Sequence, residues 1–328
     1  MRVANRTLWV LLGVGALAAG ALIADKPKFA EDRNEGEKTI EFNKERALGY
    51  LKQICDLGPR ISGSEAMAKQ QEIVKKHLEG QGAKVEFQKY TARQRSQQQP
   101  VAMANLVARW YPERPKRILL GAHYDTRPIA DREPDRRNWR NQFLGANDGA
   151  AGAALMMELA HHIGSLPTTV GIDFVLFDGE EYIFDNRHQD EGGDIYFFGS
   201  EHFAQDYTRK RANDPRSPKY IGAIVVDMIA GKEARFFFEQ NSYMQAGQLA
   251  EGVWKIARDV GADAFRAQMG SSMLDDHIPL LKARIPTIDI IDADYPHWHR
   301  LTDVPANCSG ETMDQVARVL VAWMQRSR

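Results

Sequence analysis

Four short runs in this 328-residue chain carry side chains that bind metals or move protons. They are His123-Tyr124-Asp125, Asn147-Asp148-Gly149, Asp178-Gly179-Glu180-Glu181 and His297-Trp298-His299. Imidazole nitrogen and carboxylate oxygen together suit zinc, and three protein ligands leave a position open for chemistry. The Glu180-Glu181 pair has a specific logic. One carboxylate can hold an ion while its neighbour stays free beside it, as a general base and then a general acid. Each run alone has a plainer reading: an Asp in a turn, a solvated Glu pair, surface histidines. What argues for a site is where they fall. The first follows Ile118-Leu119-Leu120, the third follows Phe174-Val175-Leu176, and the fourth comes after Ile288-Asp289-Ile290-Ile291. In an open α/β sheet, ligands bind beyond the carboxyl ends of the strands. The runs are therefore expected to converge on one edge.

The elements that must position them follow from periodicity. Residues 43–55 have helical spacing through Ala47, Leu48, Leu51 and Ile54. Ser62 or Ser64 can cap a second helix that ends at Gly80 or Gly82. Strands are expected over 85–90, 105–110, 117–121, 172–177, 221–226 and 287–291, and helices over 149–163, 243–260 and 311–325. Alternating strands and helices indicate a layered α/β fold. The early strands lie too close together for a pure βαβ repeat, so a mixed sheet is expected, in a single domain over 43–328. The stretches 127–143 and 182–196 fit neither period and adjoin the acidic runs, as functional loops do. Arg209 to Lys219 reads as a basic surface turn broken by Pro215 and Pro218.

Composition narrows the class. Lys plus Arg number 43 against 44 Asp plus Glu, for a net charge of −1, so no electrostatic argument favours a nucleic-acid partner. Arg2 and Arg6 precede an apolar run from Leu8 to Ala24. Residues 1–24 thus read as an export signal or, through 7–24, as a retained membrane anchor, with 25–42 as a linker. The expected location is periplasmic or secreted. Cys55 and Cys308 are the two cysteines. Two buried free thiols are the simpler expectation, and one disulfide across a long loop is the alternative.

The ordered series resembles the zinc aminopeptidase and glutaminyl cyclase superfamily. It runs through Leu57-Gly58-Pro59-Arg60, His123-Tyr124-Asp125, Gly145-Ala146-Asn147-Asp148, Asp178-Gly179-Glu180-Glu181, Val226-Asp227, Asp276-His277-Ile278-Pro279 and Trp298-His299, and spans residues 43 to 326. The resemblance implies a three-layer α/β/α sandwich around a mixed, mostly parallel central sheet. It also implies zinc on Asp148, Glu181 and His299, with Glu180 free beside it. In the aminopeptidase branch, His123 and Asp227 would hold a second ion, with Asp148 bridging. The animal-type cyclases keep the same five residues and use one zinc.

Leu274-Asp275-Asp276-His277, Trp298 before His299, the loop Trp139-Arg140-Asn141-Gln142-Phe143 and the Asp-Gly-Glu-Glu run look more like the cyclase branch. That branch implies a peptide or protein N-terminus as substrate and conversion of an N-terminal glutamine to pyroglutamate. Glu180, Asp227 and Asp275 would be catalytic, and Trp298, Tyr295 and Trp139 would wall the pocket. Two positions depart from the pattern. Leu274 stands where a Gln is usual, and Tyr182-Ile183-Phe184-Asp185-Asn186 replaces a second pocket tryptophan.

Overall fold

The computed structural model describes residues 37–328. The expected signal or anchor segment and most of the linker lie outside the described residues. Among the described residues, no helix is long and apolar enough to cross a membrane.

Within the described residues, eight strands and seven α-helices follow in chain order: α1 Lys44–Cys55, α2 Glu65–Gly80, β1 Lys84–Ala92, β2 Val101–Trp110, β3 Lys116–His123, α3 Ala151–Ile163, β4 Gly171–Phe177, α4 Phe198–Asn213, β5 Lys219–Asp227, β6 Phe236–Phe238, α5 Gln240–Asp259, β7 Phe265–Met269, α6 His277–Lys282, β8 Thr287–Ile291 and α7 Gly310–Arg326. Six strands form the main sheet in the order β1-β2-β4-β3-β5-β8. The β1/β2 and β2/β4 pairs are antiparallel, whereas β3/β4, β3/β5 and β5/β8 are parallel. The sheet is therefore mixed, as the spacing of the early strands required.

The layers follow from the period-2 alternation of strand side chains. Ile118, Leu120, Ile172, Phe174, Leu176, Ile224 and Ile288 face one core, shared with α1, α2, α3, α5 and α7. Leu119, Val175, Phe177, Ala223 and Val225 face a smaller core under α4 and α6. With apolar side chains covered on both faces, the central strands read as continuous hydrophobic runs. Caps fall where the sequence offers them. The Asn43 side chain accepts from Arg46 N, and Ser64 Oγ from Met67 N.

Several expectations need correction. The domain begins by residue 37 rather than 43. Lys38 N donates to Gln325 Oε1 at 2.7 Å, and the Glu37 carboxylate pairs with Arg326 at 2.7 Å, so these linker residues are tied to α7. Residues 209–213 are the last turns of α4 rather than a surface turn. Cys55 and Cys308, by contrast, are buried free thiols, as the simpler expectation had it. Burial pushes the Cys55 thiol up to about 11.

Candidate active site and metal centre

Three of the four reactive runs follow the carboxyl ends of main-sheet strands, and the other opens α3. His123 closes β3 and Asp227 closes β5. Glu180 and Glu181 follow β4 after a turn at Gly179, where φ is +77° and a Cβ would lie 2.7 Å from Met103 Sδ. Asp148 lies in an irregular turn that opens into α3. Gly149, at φ +98°, lets that turn approach Asp125 O, since a Cβ there would come within 2.6 Å. His299 itself has φ +53°. A non-glycine residue held in the left-handed region is a mark of functional sites.

The frame around these turns is made of carboxylates that accept backbone N–H groups. Asp125 Oδ1 accepts Glu180 N at 3.2 Å, and Oδ2 accepts Glu181 N at 3.1 Å. Asp303 accepts Asn147 N at 2.9 Å, Asp148 N at 3.1 Å and the Tyr295 hydroxyl at 2.8 Å. Arg60 lies fully buried under the same turn and donates to Gly145 O at 2.9 Å.

Asp148, Glu181 and His299 bring one ligand atom each within 4.8 Å of one another, and all three are buried. His123, Asp148 and Asp227 do the same, so Asp148 belongs to both groups. His299 Nε2 is 2.8 Å from Glu181 Oε1 and 3.7 Å from Asp148 Oδ2. His123 Nε2 is 3.2 Å from Asp148 Oδ1 and 3.2 Å from Asp227 Oδ1.

Electrostatics say what the cluster lacks. Burial, then the Glu181 charge, pushes Glu180 well above the usual carboxylate range. The same two causes push Asp148 up to about 7. Burial and Asp227 raise Asp275 to about 6. Burial works against ionised Glu181 too, but His299 and Arg127 outweigh it and hold it at about 2. Buried charge needs a partner. Here acids outnumber cations, and Asp148 Oδ2 and Glu181 Oε2 are buried without a hydrogen-bond partner. Mixed imidazole and carboxylate donors with orphaned oxygens fit a divalent ion such as zinc.

Two residues that the sequence did not disclose complete this half of the site. Asp131 Oδ1 lies 2.9 Å from His299 Nδ1 as an ion-pair contact, and Nε2 is the nitrogen that faces Glu181 and Asp148. Arg127, 2% exposed, donates through Nη2 to Asp131 Oδ2 and through Nη1 to Glu181 Oε1, each at 2.9 Å. Arg127, Asp131, His299 and Glu181 thus close a ring of four side chains around two of the three ligands. Both new residues come from the irregular stretch 127–143. Its position beside His123-Tyr124-Asp125 was the one signal that could have found them.

The ligand cluster opens into a cavity of about 320 Å³ lined by Trp298, Tyr196, Asn186, Met273, Leu274 and Ile291, with Glu180, Asp227 and Asp275 on its inner side. Trp298 is stacked under the Arg132 guanidinium, 3.5 Å from the ring centre. Where the second tryptophan was missing, Asn186 and Tyr196 form the wall. Two expected wall residues do not line this cavity. Tyr295 is buried 5% exposed, its hydroxyl committed to Asp303. Trp139 turns its Nε1 to Glu133 O at 3.0 Å under Arg136.

Comparison with known proteins agrees with this geometry. The profile of peptidase family M28 matches residues 105–324. The crystal structure of a glutaminyl cyclase from Fimbriiglobus ruber is 48% identical, covers 93% of this chain and 99% of that one, and superimposes with a TM-score of 0.86. A Bacteroides thetaiotaomicron glutaminyl cyclase bound to N-acetylhistamine is 28% identical, with 89% and 100% coverage and a TM-score of 0.79. A bovine glutaminyl-peptide cyclotransferase is 24% identical over an alignment of 254 residues, with 68% of this chain and 66% of that protein covered. The chain therefore spans just under two thirds of the length of the curated relatives it matches first. Matched over most of its described length in sequence and in fold, the chain belongs to peptidase family M28.

Proposed function

We propose that this protein is a zinc-dependent glutaminyl-peptide cyclotransferase. It would convert the N-terminal glutamine of a peptide or protein to pyroglutamate and release ammonia. The observation that carries this reading is the placing of buried Glu180 beside Asp227 and Asp275 in a cavity walled by Trp298. The likeness to proteins named as glutaminyl cyclases supports it.

Asp148, Glu181 and His299 would hold the ion. Bound there, zinc supplies Lewis-acid polarisation of the substrate's γ-carboxamide oxygen. The rest falls to the chain's own side chains. Trp298, Met273 and Ile291 wall the cavity against water, so that the substrate's α-amine is the available nucleophile. A bond forms from that amine to the side-chain carbonyl carbon, and the bond from this carbon to the amide nitrogen breaks. Glu180 accepts a proton from the amine and returns it to the departing nitrogen, which leaves as ammonia. Asp227 and Asp275 stand beside it. Burial and the Asp227 charge raise Asp275 to about 6, which suits proton donation to a leaving nitrogen.

A single ion fits the outer contacts best. His299 Nδ1 has the Asp131 carboxylate at 2.9 Å, whereas His123 Nδ1 is 3.7 Å from Asp125 Oδ1. A second reading, a two-zinc aminopeptidase, draws on the His123–Asp148–Asp227 group. Incubation with a Gln-initiated and a Leu-initiated peptide separates the two by mass. The cyclase takes one ammonia from the first and leaves the second intact. Release of a free amino acid would sink the cyclase reading, and metal analysis gives one ion per chain or two. We also place the protein outside the cytoplasm, on the strength of Arg2, Arg6 and the apolar run from Leu8 to Ala24. Recovery in the cytosolic fraction alone would contradict that placement.

A further inference from the structure

A second cavity, of about 270 Å³, adjoins the reaction cavity, and Met273 and Ile291 line both. Its other walls include Phe237, Phe238 and Met269, from the two-stranded β6/β7 sheet. The loop from Gly270 to Asp275 joins the two cavities along the chain. It is pinned rather than free: Met273 N donates to Glu239 Oε1 at 2.9 Å, and Asn241 Nδ2 donates to Met273 O at 2.8 Å. It also lies flat on Phe237, since a Cβ on Gly270 would sit 2.7 Å from Phe237 Cβ.

The apolar surface of this ridge stands out. Among the described residues the exposed large hydrophobics are Met244, Met269 at 51% and Leu274 at 67%. Two of the three thus flank this one loop, one in each cavity. Glu239, the acid nearest the groove's floor, is 3% exposed and is used to accept Asn241 N and Ser242 N as well as Met273 N. Asp294 is the other acid of the lining. The groove thus sets the apolar Phe237, Phe238, Met269, Met273 and Ile291 beside Ser271 and two acids, a mixed lining that disfavours an anion.

We propose that this groove takes the side chain of the residue that follows the N-terminal glutamine and selects an apolar one there. The proposal rests on the cyclase reading. The occupant follows from covalent connection. Once the first residue fills the reaction cavity, the second lies one residue, about 3.5 Å of chain, further on, and the shared Met273–Ile291 wall places the groove next. Covering exposed Met269 and the half-buried Phe237 and Phe238 with substrate removes apolar surface from water, which favours binding in proportion to the area covered.

The test compares glutamine amide with the peptides Gln-Phe-Ala, Gln-Leu-Ala, Gln-Ser-Ala and Gln-Glu-Ala. The expected result is a kcat/KM about 10-fold higher for Phe and Leu than for Ser, with Glu lowest. Met269→Ser and Phe237→Ser should each shrink that preference several-fold through KM while glutamine amide is turned over at the wild-type rate. Equal kcat/KM for all four peptides, with glutamine amide still cyclised, overturns the groove and leaves the cyclase reading standing. No cyclisation of any of them overturns both. A dimer that Met269→Ser dissolves, with peptide preference unchanged, assigns the patch to a second copy and also overturns the proposal.

Discussion

The two halves of the metal cluster use the same residue types and are supported differently. On one side, His299 and Glu181 are gripped from behind by Asp131 and Arg127, with every link of that ring at 2.8–2.9 Å. On the other, His123 meets Asp148 and Asp227 through Nε2, but its Nδ1 is 3.7 Å from Asp125 Oδ1, too far for a hydrogen bond. A histidine ligand whose second nitrogen is held binds metal with a set tautomer and ring angle. Possession of the ligands therefore does not make the two groups equal, and outer contacts grade them.

The sharpest test of this asymmetry is Glu180→Gln. It keeps shape and removes the proton acceptor without touching a ligand. Turnover should fall by about 10²–10⁴-fold, with zinc content unchanged by metal analysis. Loss of zinc from this variant would mean that Glu180 belongs to the ligand set.

Next in size is Asp131→Asn, which should weaken zinc binding by about 10–100-fold in competition with a chelator. An unchanged affinity would remove the contrast between the halves.

A carboxylate far from the site shows what full pairing does without a metal. Glu158 receives Arg46 Nε at 2.6 Å and Asn43 N at 3.1 Å. Burial opposes its charge, but His162 and Arg46 outweigh burial and hold it at about 2. Its folded value is below its unfolded one. The stability it gives is therefore complete above about pH 4.3 and is lost as pH falls towards 2. Glu158→Gln should cost about 1–2 kcal/mol at neutral pH, allowing for the half-exposed Arg46. In denaturant titrations the gap should close near pH 2, and a gap that persists there would argue against this pairing.

The smallest expected change is in His123→Ala. Zinc per chain should stay at one by metal analysis, because the gripped half is intact. A fall from two to one would make the halves equal partners.

How much of this was legible depended on where each residue sits. Thr287–Ile291 was readable residue for residue because a buried strand between turns leaves a short apolar run. Three of the four reactive runs were readable because each follows a strand end, and the other, Asn147-Asp148-Gly149, because it opens a helix. Helix α4 was not, since of its first turns only Gly199, Ser200, Phe203 and Ala204 are buried, too few to print an apolar stripe. Strands β6 and β7 were also silent: β6 has only three residues, and β7 is exposed after Phe265 and buries no face. Asp131 and Arg127 act through contacts distant in sequence, which local pattern does not record. Trp139 and Tyr295 show the limit of resemblance. The residue types were present, but the loop around Trp139 turns it to Glu133, and Asp303 draws Tyr295 inward.

The Asp125 carboxylate receives the backbone of Glu180 with one oxygen and that of Glu181 with the other. Proton carrier and metal ligand are thereby indexed to the end of β3, not to the loops that shape the pocket. The stretch 182–196 can lengthen, shorten or exchange an aromatic wall for Asn186 and Tyr196 without changing the spacing between base and ion. Substrate choice and bond chemistry are thus separable modules, and new specificities can be built on the first without rebuilding the second.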